Sequence, residues 1–102
     1  MTRFVRVIAA AEIPADRGRL VFVEGRTIAL FKLDGAIHAL DDSCPHAGSS
    51  LAAGALEGAF VQCRGHGLRF DVRTGRMPGT GGLCAKTYPV QVVDGEVAVG
   101  IE

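Results

Sequence analysis

The chain has 102 residues, a length that builds one domain (1–102) with a modest core. Eleven basic and eleven acidic residues cancel, with no block of like charge, which argues against nucleic acid and membrane surfaces as partners. No apolar run approaches the about 18 residues of a membrane helix. Arg3 and Arg6 interrupt Phe4, Val5, Val7 and Ile8, so the N-terminal stretch is no signal-peptide core; a soluble, cytoplasmic, monomeric protein is expected.

Fourteen glycines and many β-branched residues point to short strands joined by tight turns. Phe4 to Ile8 alternates in part and reads as a first strand. Ala11 to Arg19, with Pro14, Asp16 and Gly18, reads as a loop holding at most one helical turn. Leu20 to Val23 is strand-like and Glu24-Gly25 turns it. Thr27 to Leu33 and Ala36 to Leu40 flank Asp34-Gly35, a strong hairpin signal, so these strands suggest an antiparallel meander.

From Asp41 onward the character changes. Leu51 to Phe60 mixes alanines with Gly54 and Gly58 and reads as loop and turn. Phe60 to Gln62 is a strand, and Leu68 to Val72 alternates with charged residues as another. Thr74-Gly75 turns the chain, and Met77 to Gly82 is a loop containing Pro78. Tyr88 to Val93, Asp94-Gly95 and Glu96 to Ile101 form a closing hairpin. The expected fold class is all-β: an antiparallel β-barrel or sandwich with a small cluster-binding subdomain inserted over about 41–87.

Two loops in that insertion carry the chemistry. One reads Cys44-Pro45-His46 and the other Cys63-Arg64-Gly65-His66, with sixteen residues between His46 and Cys63. Each offers one thiolate and one imidazole, and a pair of such loops can hold a two-iron, two-sulfide cluster with both Cys on one iron and both His on the other. Pro45 stiffens the first turn. Gly48, Gly65 and Gly67 let backbone N–H groups approach the sulfides and stabilise the charge of a reduced cluster. The same four ligands suit a structural tetrahedral zinc, although the usual helix carrying two His is missing. The third cysteine, Cys84, reads as a free, semi-buried small hydrophobe. His38 reads as a strand-pairing or surface residue and Phe70 as a core residue. The arginines at 64, 69, 73 and 76, opposed only by Asp71, read either as a docking patch for an acidic partner or as a solvated strand face.

The runs Cys44-Pro45-His46-Ala47-Gly48, Cys63 to Phe70 and Asp71-Val72-Arg73-Thr74-Gly75 resemble the Rieske ferredoxins of bacterial oxygenase systems. Asp41-Asp42 before the first loop and Tyr88-Pro89-Val90 after the second extend the resemblance over most of the chain. It implies a Rieske-type [2Fe-2S] cluster, with Cys44 and Cys63 on an inner iron and His46 and His66 on an outer one. It also implies electron transfer without catalysis: a flavin-dependent ferredoxin reductase as donor and the terminal oxygenase of a dioxygenase system as acceptor. The quinol-oxidising branch of the family adds a disulfide between the ligand loops and two hydroxyl donors to sulfur. Here Ser49 and Gly65, then Leu68 and Phe70, stand in those places, which implies a low potential. Arg64-Gly65 departs from the Pro and the aromatic or Leu that many relatives carry there. The alternative on the same motif is the small Rieske subunit of a nitrite reductase.

Overall fold

The computed structural model describes residues 2–43, 50–63, 68–77 and 84–101. Its strands are β1 (Arg3–Ala9), β2 (Arg19–Val23), β3 (Arg26–Leu33), β4 (Ala36–Asp41), β5 (Ala55–Glu57), β6 (Phe60–Gln62), β7 (Arg69–Asp71), β8 (Thr87–Tyr88), β9 (Val90–Val93) and β10 (Glu96–Ile101). One 3-10 turn, Ala10–Glu12, follows β1. All the strand pairings are antiparallel, in accord with the all-β expectation. The strands form three sheets, ordered β1-β10-β9, β2-β3-β4-β8 and β5-β6-β7.

The sequence of β3 explains why there are three layers. Ile28, Ala29, Leu30 and Phe31 are consecutive and fully buried. Side chains alternate across a strand, so four buried neighbours require an apolar layer on each face. Ile28 and Leu30 join Val21, Val23, Ala39 and Tyr88 against Val97, Val99 and Ile101 of β10. Ala29 and Phe31 join Leu40 against Leu51, Val61, Cys63, Phe70 and Val72. The four-stranded sheet is therefore the middle layer, with the β1-β10-β9 sheet on one face and the β5-β6-β7 sheet on the other.

Three hairpins are closed by two-residue turns with positive φ at both positions: Glu24-Gly25, Asp34-Gly35 and Asp94-Gly95. That is the type I′ pattern, whose twist matches the flanking strands. It fixes the registers Val23↔Arg26, Leu33↔Ala36 and Val93↔Glu96.

The sequence reading needs four corrections. Tyr88 to Val93 is not one strand. Pro89 lacks the N–H a ladder needs, and it divides the run between sheets: Tyr88 pairs with Ala39 of β4, and Val90 with Val99 of β10. The meander holds only for β2, β3 and β4, because β1 leaves them to pair with β10. The stretch read as loop and turn contains β5, whose Leu56 opposes Val61. Cys84 is exposed rather than semi-buried.

Because Phe31 is buried where the middle sheet meets the β5-β6-β7 sheet, Phe31→Ala should cost about 3–5 kcal/mol. Chemical denaturation followed by circular dichroism measures this.

Candidate metal centre

Each of the two predicted ligand loops rises from a hydrogen-bonded stem. The first leaves the end of β4. There the Asp41 N–H donates to the Lys86 carbonyl at 2.8 Å and the Asp42 N–H to the Thr27 carbonyl at 3.0 Å. The Leu51 N–H returns to the Asp42 carbonyl at 2.8 Å, and Ser43 bridges Ser50. Asp42 itself is only 6% exposed. Its Oδ1 accepts the Ser50 hydroxyl at 2.9 Å and the Ala52 N–H at 2.8 Å. Burying a carboxylate is costly unless such donors replace its water. Here the carboxylate clamps the two ends of the first loop together.

The second loop is the tip of the β6-β7 hairpin. Gln62 opposes Arg69, and the Cys63 N–H donates to the Leu68 carbonyl at 2.6 Å. Cys63 is fully buried, in the same core as Leu51 and Ala52 from just beyond the first loop. Gly54 lets these two parts of the chain approach, since a Cβ there would collide with the Gln62 carbonyl. A third closure lies nearby: Arg76 bridges Cys84, and the Ala85 N–H donates to the Gly75 carbonyl at 2.7 Å.

Of the four predicted ligands, Cys63 falls within the described residues. Cys44, His46 and His66 lie outside them, as do Gly48, Ser49, Arg64, Gly65, Gly67 and Pro78. The stems nonetheless set where both loops start and end, and they start from one core. Phe70 is buried in that core, as expected, and Leu68 packs against it. His38 sits half-buried on β4, opposite Phe31.

The arginine-rich stretch divides into distinct environments. Arg73 is held by Asp71, with Nε at 3.0 Å from Oδ1 and Nη2 at 2.8 Å from Oδ2. Arg69 lies over the Phe60 ring at 5.1 Å, a cation–π contact that leaves its charge exposed. Arg26 and Lys86 both lie against the Tyr88 ring, at 6.0 and 5.3 Å. The Arg73 side chain holds the Asp71 carboxyl below its ordinary 3.8, helped by the Arg73 N–H and by the charge of His38.

A Rieske [2Fe-2S] domain model matches residues 3–89. The chain belongs to the Rieske [2Fe-2S] domain family. As a Rieske domain it takes a Rieske-type [2Fe-2S] cluster, and the structure suits one: a thiol in a dry core, at the foot of a hairpin loop, beside the stem of a second loop. Thiolate and imidazole are ligands that iron–sulfur centres accept. Among relatives of this Rieske chain, the ferredoxin component of the naphthalene 1,2-dioxygenase system of Pseudomonas aeruginosa is 36% identical over 105 residues, covering 97% of this chain and 96% of that protein. The solved ferredoxin of Sphingomonas yanoikuyae B1 superposes with a TM-score of 0.90 at 27% identity, covering 98% of this chain and 100% of the other. A chain of the complex of reduced oxygenase and oxidized ferredoxin in carbazole 1,9a-dioxygenase gives 0.84 at 30% identity, covering 93% and 99%. Nitrite reductase small subunits share the fold at 23% identity, a likeness of fold alone.

Sequence reasoning missed Asp42 as a structural group. It marked Asp41-Asp42 only as the approach to the first loop, and nothing local distinguishes a buried Asp from its exposed neighbours. Asp42→Ala leaves the Ser50 and Ala52 donors without their acceptor, so it should cost about 2 kcal/mol and speed cluster loss. Denaturation midpoints and the decay of visible absorbance on warming measure both. For Asp71, whose folded pKa is depressed, stability is fully present above the unfolded value and is lost as pH falls through the folded one. Asp71→Asn should therefore flatten the acid side of the stability profile, as read from urea midpoints across that range.

Proposed function

We propose that this Rieske protein is the ferredoxin of a bacterial oxygenase system, working in the cytoplasm as a one-electron carrier between a flavin-dependent reductase and a terminal oxygenase. One observation carries the reading: the likeness to a ferredoxin component runs over 97% of this chain and 96% of that relative. Residues 41–87 form the cluster-binding unit in this reading. Cys44 and Cys63 bind one iron, and His46 and His66 bind the other. When bound, the cluster supplies a centre that accepts and releases one electron.

The protein's own residues do three things for that centre. The buried Cys63 keeps its ligand atom from water, which limits oxidation and exchange. The Asp42 clamp and the Cys63–Leu68 hydrogen bond hold the loop ends in place, so little rearrangement accompanies a change of charge. Leu68 and Phe70 present apolar side chains where hydroxyl donors stand in the quinol-oxidising branch, which disfavours the extra negative charge of the reduced state.

The reading is tested by the spectrum and potential of the isolated protein. The reduced form should give the rhombic paramagnetic resonance of mixed Cys/His ligation, with a potential toward the lower end of the Rieske range, near about −150 mV. Cys63→Ser should lose that signal. A colourless zinc-containing protein would overturn the assignment, and a potential well above zero would overturn the low-potential reading. Co-purification with a large haem-containing subunit would favour the nitrite reductase alternative instead.

A further inference from the structure

The chain carries no net charge, yet its charges are unevenly placed. From Ser43 to Val93 the sequence holds five basic residues and two acids, Glu57 and Asp71. Asp71 is held by Arg73, and Glu57 lies at the turn end of the β5-β6 hairpin, away from the second loop. Acids gather at the other pole. Asp34 and Asp94 sit in hairpin turns at the strand ends away from the ligand loops, and Glu96 and Glu12 lie beside the second of these turns.

Four cations flank the loop stems among the described residues. Lys86 and Thr27 supply the carbonyls that close the first stem, and Arg26 precedes Thr27. Arg69 follows Leu68, whose carbonyl closes the second, and Arg76 bridges Cys84 at the third closure. None of the four is in an ion pair among the described residues. The acids at this end are few: Glu24 is taken by Arg3, Asp42 is buried against Ser50 and Ala52, and Asp41 is half-buried.

Three of these cations rest on rings instead of carboxylates. Arg69 lies over Phe60, and Arg26 and Lys86 lie against Tyr88. A ring face holds a cation in place without cancelling its charge. This separates the two readings of the arginines. Arg73 is neutralised by Asp71, whereas Arg69 keeps an exposed charge at the foot of a ligand loop. We propose that the loop-stem end is a docking face for a partner protein whose own electron port is ringed by Asp and Glu. The inference rests on the carrier reading above. The acidic far pole adds to the effect, because a chain with two opposite poles is turned by the partner's field to present its loops first.

Fluorescence anisotropy of labelled poly-L-glutamate, titrated with the cluster-loaded protein, tests the chemistry of the face. Binding should weaken as salt is added. Arg69→Glu with Lys86→Glu should weaken it by about tenfold or more, with the visible spectrum intact. Arg6→Glu with Arg19→Glu makes the same change of charge in the groove that Glu12 and Glu96 line, and should leave binding nearly unchanged. Stopped-flow oxidation then tests whether the face lies on the electron's route. Anionic hexacyanoferrate(III) takes one electron from the reduced protein and becomes hexacyanoferrate(II); salt should slow this reaction. Cationic hexaammineruthenium(III) takes one electron and becomes the ruthenium(II) complex; salt should speed that one. Arg69→Glu with Lys86→Glu should reverse both dependences. Equal loss of binding in the two double variants overturns the proposal, as do rates indifferent to salt in a protein that shows the rhombic signal. A protein without that signal overturns the carrier reading, and this inference with it.

Discussion

Four consecutive buried residues, Ile28 to Phe31, have to satisfy two apolar layers at once, and the other elements arrange themselves around that demand. Strand alternation sends Ile28 and Leu30 to one side and Ala29 and Phe31 to the other. The first pair recruits β10 and the ends of the chain. The second recruits Leu51, Val61, Phe70 and Val72, the apolar residues around the ligand loops. A single strand thus couples the part of the molecule that makes it stable to the part that makes it useful.

Cys63 belongs to the second of these cores rather than to a surface loop. Its neighbours Leu51 and Ala52 follow the first loop, and Asp42 binds the N–H of Ala52. The same residues that fill the core also determine where both loops begin and end. In a chain this small, a site present only in the folded state adds its binding free energy to folding. Loss of the cluster and loss of the core are therefore expected to be one event.

Much of this was legible in the sequence because the signals are local. Asp34-Gly35 and Asp94-Gly95 announce hairpins, and the two Cys/His loops announce a Rieske-type domain. The misses are non-local. Pro89 interrupts an apolar alternation that continues past it, so only the identity of each strand's partner reveals the division between sheets. β5 is obscured by Gly54 and Gly58, yet Gly54 is there because the Gln62 carbonyl leaves no room for a side chain. Asp42 looks like any acidic residue beside a loop until Ser50 and Ala52, eight and ten positions on, return to it. The arginine-rich stretch reads as a docking patch or a solvated strand face, and sequence does not say which arginine Asp71 takes: it pairs with Arg73, while Phe60 supports Arg69.

The claim that one core serves both fold and cluster is tested most directly by thermal unfolding followed at two wavelengths together, far-ultraviolet ellipticity for the sheets and visible absorbance for the cluster. A shared core predicts a single, coincident transition. Bleaching complete well below the temperature at which the sheets melt would contradict it, and would mean that the ligand loops open independently of the strand beneath them.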